Sequence, residues 1–89
     1  MPVFMVERDF AERLEATPES AAQINQINDE AGVQWLSSFL SVDKRKTFCL
    51  YEAHDMDAIR AAAVRAGLPA DAIVELSGEI SPDGSFAAL

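Results

Sequence analysis

Apolar positions along the chain alternate between two periods, and the switches between them mark out six elements. Val3, Phe4, Met5 and Val6 form a short run rich in β-branched and aromatic residues, which predicts a strand ending near Arg8. Asp9 to Thr17 is polar and reads as a loop, with Phe10 and Leu14 pinning it to the body. Thr17-Pro18 is a helix start, a hydroxyl N-cap followed by proline where its missing N–H costs nothing. Ala21, Ile24, Ile27 and Ala31 then recur at helical spacing as one apolar stripe, and Gly32 is the stop. Val33 to Val42 predicts a second strand and Thr47 to Ala53 a third, joined by the charged turn Asp43-Lys44-Arg45-Lys46. So short a link implies an antiparallel hairpin. Asp55 can cap a second helix whose stripe is Ile59, Ala62, Ala63 and Ala66, and Gly67-Leu68-Pro69 ends it. Ala72 to Ile80 predicts a fourth strand, and Ser81 to Leu89 a loose tail.

The order β-α-β-β-α-β is the ferredoxin-like plan. It implies an α+β sandwich over residues 1–89 as one domain: a four-stranded antiparallel sheet with two helices on one face. The strands would lie in the order fourth, first, third, second.

Two helices leave the other sheet face open, yet the strands are apolar at both parities. Trp35-Leu36 and Phe39-Leu40 are adjacent apolar pairs, and Phe48, Leu50 and Tyr51 surround Cys49. Near-continuous apolar strands indicate burial on both faces. A second copy of the same sheet would supply the missing cover, so a homodimer with sheets face to face, a dimeric α/β barrel, is expected. Alternation along each strand assigns Phe4, Val6, Leu36, Leu40, Phe48, Leu50, Val74, Leu76 and Ile80 to the helix side. Met5, Glu7, Trp35, Ser37, Phe39, Cys49, Tyr51, Glu75 and Ser77 would then line the open face. That mixture of aromatic, acidic, hydroxyl and thiol groups suits a ligand pocket built from Glu7, Trp35, Cys49 and Tyr51. It also suits an ordinary dimer interface, which is the plainer reading, and both stay open.

Charge narrows the partners. Fifteen acids against seven bases give a formal charge of −8, which argues against nucleic acid and against anionic membranes, both of which require a basic surface. One cysteine cannot form an internal disulfide. No apolar run approaches the roughly 18 residues of a membrane span, and MPVFMVERDF lacks the layout of a signal peptide, so a cytoplasmic protein is expected.

Three segments carry a family resemblance: the VERDF opening, the DKRKTFCLYEAHDMDAIR block and the RAGLPAD helix stop. They resemble a family of small ferredoxin-like domains of unknown function that includes an actinobacterial nickel-binding protein. The resemblance runs from Val6 to about Val74 and implies a dimeric α/β fold with metal binding, though no complete set of nickel ligands matches this sequence.

His54 is the natural metal candidate, since imidazole serves nickel and zinc, and Glu52, Asp55 and Asp57 are close in sequence. Glu52 and His54 are therefore the expected ligands of a divalent nickel or zinc ion. The plainer alternative is an exposed histidine beside a capping aspartate. Glu7 sits at the far end of the neighbouring strand, roughly 15 Å away at about 3.3 Å per residue, so it can meet His54 only across a dimer interface. Within one subunit it would instead pair with a base of the 44–46 turn. Cys49 in mid-strand reads as a small buried hydrophobe, too far from His54 for a Cys-His dyad. The leading expectation is thus a noncatalytic homodimeric binding protein for a divalent metal or a small ligand. The alternative is a small dimeric α/β-barrel enzyme using Glu7, Tyr51 or His54 as acid–base groups.

Overall fold

The computed structural model describes residues 1–89. Its elements are β1 (Val3–Asp9), α1 (Pro18–Ala31), β2 (Gln34–Leu40), β3 (Lys46–Glu52), α2 (Met56–Ala66), β4 (Ala72–Leu76), β5 (Gly78–Ile80) and β6 (Phe86–Ala88). The first six follow the ferredoxin-like plan, and the four long strands form one antiparallel sheet in the order β2-β3-β1-β4. No helix is long and apolar enough to cross a membrane.

Both helices begin and end on the chemistry that their sequences announce. Thr17 accepts from the Ser20 N–H and Ser20 returns a bond to the Thr17 N–H, each at 3.1 Å, closing a reciprocal cap on α1. Asp55 accepts from the Ala58 N–H at 2.9 Å to start α2. Gly32 and Gly67 stop the two helices in the left-handed region, at φ 74° and 68°, where a Cβ would be strained. Ile59 and Ala62 of α2 are buried against Phe4, Val6, Cys49, Tyr51 and Ala53, and Ala63 is buried beside them in sequence. The small alanines let the helix lie close to the sheet.

Register decides which residues face the helices. Phe4, Val6 and Arg8 of β1 pair with Tyr51, Cys49 and Thr47 of β3, and paired residues share a face. Cys49 and Tyr51 are therefore on the helix side and buried, whereas Phe48 and Leu50 stand on the open side. Alternation alone gives the reverse, because β3 is apolar at both parities and a one-residue slip exchanges the two faces. Val74 and Leu76 likewise pair with Met5 and Val3 and stand on the open side. Glu75 pairs with Phe4 on the helix side. In β2 a bulge at Leu36, between Trp35 and Ser37, breaks the alternation. Trp35, Ser38 and Leu40 consequently face the helices, while Ser37 and Phe39 face outward.

The C-terminal residues form a hairpin instead of a loose tail. β4 ends at Leu76, and Gly78–Ile80 pairs with Phe86–Ala88 as a separate two-stranded sheet. Gly84 takes φ 86° at the turn, and Asp83 accepts from the Ser85 N–H at 2.9 Å. The turn residues Ser-Pro-Asp-Gly-Ser are a hairpin signal in their own right. Gly78 is required because the Phe86 ring and the Ala87 carbonyl occupy the place of a Cβ. Ile80, which alternation placed against the helices, is 76% exposed here.

Candidate functional site

The alternation that buries Phe4 and Val6 also draws Arg8 inside the protein, where it is only 4% exposed. Its Nη1 donates to the Pro69 carbonyl, and its Nη2 donates to the Tyr51 hydroxyl at 3.2 Å. The guanidinium carbon lies 5.7 Å from the centre of the Tyr51 ring, within cation–π range. Nε is buried and has no partner. All the ion pairs of the fold involve other bases: Lys46 with Glu7 and Asp9, Arg60 with Asp57, and Arg65 with Glu30. Burial pushes the Tyr51 phenol above its ordinary range, and the nearby Arg8 offsets only part of that effect. Tyr51 is accordingly a neutral hydroxyl that accepts from Arg8, with the Cys49 thiol beside it.

Arg8 and Tyr51 form part of the wall of a cavity of about 300 Å³. The inner face of the sheet supplies Trp35, Ser38, Leu40, Thr47 and Cys49. The first half of α1 supplies Ser20, Ala21 and Ile24, its cap supplies Thr17, and the preceding loop adds Phe10, Leu14 and Ala16. The space exists because this part of α1 offers serine and alanine where larger apolar side chains would fill the gap. The loop is held in place by backbone bonds from Phe10 N–H to Arg45 and from Leu14 N–H to Lys44, both at 2.7 Å. An indole N–H to Ser38 Oγ bond of 2.8 Å orients Trp35. The cavity is thus apolar in the main, with a guanidinium, a phenol and a few hydroxyls converging on it.

Of the residues singled out by sequence, Trp35, Cys49 and Tyr51 share this cavity, on the helix side of the sheet and not on the open face. Cys49 is buried, with Thr47 Oγ1 at 3.5 Å. Glu7 is elsewhere. It stands on the open face and pairs with Lys46 at 3.1 Å, and Lys46 also reaches Asp9 at 3.2 Å. Those carboxylates raise the Lys46 pKa, the Glu7 hydrogen bond most of all. Glu52 is half-buried at the end of β3, and His54 is exposed beside the Asp55 cap. No group of three or more His, Cys, Asp or Glu side chains comes together as a metal site. Glu52 and His54 would supply two donors at most, so the residues of one subunit do not by themselves fit a complete nickel or zinc centre. Arg8 escaped the sequence reading as a site residue. The available signal was its spacing, two positions beyond Val6 in a strand whose even-numbered residues are core.

Comparison with known proteins bears on the whole arrangement. The family described as nickel responsive protein SCO4226-like matches residues 4–76. Among curated proteins none matches. The crystal structure of SCO4226 from Streptomyces coelicolor A3(2) superposes with a TM-score of 0.65 at 22% identity, covering 83% of this chain and 94% of that one. At that identity the likeness concerns the fold. The β5–β6 hairpin lies beyond the matched segment, whereas Arg8, Trp35, Cys49, Tyr51, Glu52 and His54 all fall within it. With four-fifths of its sequence matched, from Phe4 in β1 to the end of β4, the chain belongs to the SCO4226-like nickel responsive protein family.

Proposed function

We propose that this is a noncatalytic, homodimeric binding protein that holds a small, largely apolar molecule in the cavity between α1 and the sheet. One observation carries the reading: a cavity of about 300 Å³, mostly apolar, on which a few polar groups converge. This is the construction of small-molecule sites, where apolar walls give affinity and sparse polar groups give orientation. Trp35 is the only tryptophan and lines the cavity, so its fluorescence reports on occupancy directly. Titration with a medium-chain aliphatic probe such as octanol should shift or quench that emission saturably. Flat titrations with aliphatic probes of every charge, with no rise in melting temperature, would refute the cavity as a binding site.

The homodimer reading draws on the open sheet face. Phe39 is 61% and Val74 54% exposed there, beside Met5, Phe48, Leu50 and Leu76. Ile80 and Phe86 of the C-terminal hairpin, and Leu89 after it, are exposed as well. An apolar sheet face of this kind suits an interaction surface, and a second copy offers a matching sheet. A second reading of function follows from the family description. A divalent ion would then be held between subunits, where Glu52 and His54 of one copy are completed by donors from the other. Native mass spectrometry of the dimer with nickel tests it.

A further inference from the structure

The geometry points to an anionic ligand: a small monocarboxylic acid with an apolar body, its carboxylate seated on Arg8 and Tyr51 inside the cavity. This inference rests on the proposed cavity reading and adds the charge of the guest. Arg8 is nine-tenths buried, carries a fixed positive charge and takes part in no ion pair. Its two protein acceptors, the Pro69 carbonyl and the Tyr51 hydroxyl, are neutral, and its Nε–H has no acceptor at all. Buried charges are ordinarily paired, because an uncompensated one is costly to remove from water. A chain with fifteen acidic residues places none of them on the cavity wall. Arg8 is the only charged residue lining it. The nearby N-terminal end of α1, at Thr17 and Ser20, has the same positive sign.

A purely structural role would leave Arg8 as a pin between β1, the turn at Pro69 and the Tyr51 ring. Neutral donors would serve that purpose without the charge. The guanidinium instead supplies what a carboxylate needs: a positive planar group whose Nε–H no protein acceptor takes, beside the Tyr51 phenol. The remaining walls, including Phe10, Leu14, Ile24 and Trp35, would enclose an alkyl or aryl body.

The test compares three probes with one apolar body, octanoate, octanol and octylamine, read by Trp35 fluorescence on the whole chain. Octanoate should bind about tenfold to a hundredfold more tightly than octanol, as expected for hydrogen bonds to a charged group. Octylamine should bind worst. In Arg8→Met octanoate should lose its advantage and bind no more tightly than octanol does to the same variant. If Arg8→Met does not fold, the probe comparison on the unaltered protein still decides, since it needs no variant. Octanol binding as tightly as octanoate would overturn the anionic assignment and leave the cavity reading standing. Failure of all three probes to bind would overturn both.

Discussion

Replacing Phe39 by serine tests the homodimer, because its effect on association can be worked from the fold. Phe39 stands on the open face of β2 with 61% of its surface exposed in the single subunit. A phenylalanine offers roughly 200 Å² of surface, so about 120 Å² is available to be covered by a partner. At about 25 cal/mol per Å² that is about 3 kcal/mol per copy, and about 6 kcal/mol for the two copies of a symmetric dimer. Losses of rotational and translational freedom are common to both proteins and cancel in the difference. Complete coverage would therefore weaken dimerisation by about four powers of ten, and half coverage by about a hundredfold. Sedimentation across a concentration series is the assay. The unaltered protein should be a dimer at tens of micromolar and Phe39→Ser a monomer. Its circular dichroism should be unchanged, because Phe39 lies outside the core cluster. A monomeric parent protein, or a variant that dimerises equally well, would refute the reasoning.

Other consequences are as accessible. If nickel is held between subunits through His54, native mass spectra should show metal-bound dimer for the parent protein and little for His54→Ala. Unchanged nickel affinity would remove the imidazole from the ligand set. Glu30 bridges α1 to Arg65 of α2, and the Arg65 hydrogen bond lowers its pKa below the ordinary 4.5. A lowered carboxyl pKa contributes stability that is present above the unfolded value and lost as pH falls through the folded one. The melting temperature of the parent should thus exceed that of Glu30→Gln near neutrality, and the gap should close as pH drops below about 4. A gap independent of pH would deny the pairing. Asp55→Ala removes the cap of α2 and should cost about 1 kcal/mol, or a melting decrease of about 4–8 °C. No loss would mean that another group satisfies the Ala58 N–H.

Helix boundaries were the most legible part of this chain. Thr17-Pro18, Asp55, Gly32 and Gly67 act through local sterics and hydrogen bonds that neighbours in sequence largely decide, and each does in the fold what its residue type implies. Strand order was likewise readable from the succession of elements. Faces were not. Phe48 and Leu50 compete with Cys49 and Tyr51 for the inside of β3 with nearly equal apolar claims, and only pairing with Phe4, Val6 and Arg8 settles the choice. A single bulge at Leu36 then moves Trp35 to the helix side.

The cavity depended on both of those outcomes, so its position could not be read from alternation. By itself the sequence determined the ferredoxin-like plan, the caps and stops, the surplus of apolar strand surface and the family. Tertiary structure alone decided that Trp35, Cys49 and Tyr51 meet around a buried Arg8, while Glu7, Glu52 and His54 lie apart from it. The physical reason is the period of two. Caps depend on contacts a few residues apart, but the face of a strand depends on registration with a partner some forty residues away, and one residue of slip exchanges inside for outside.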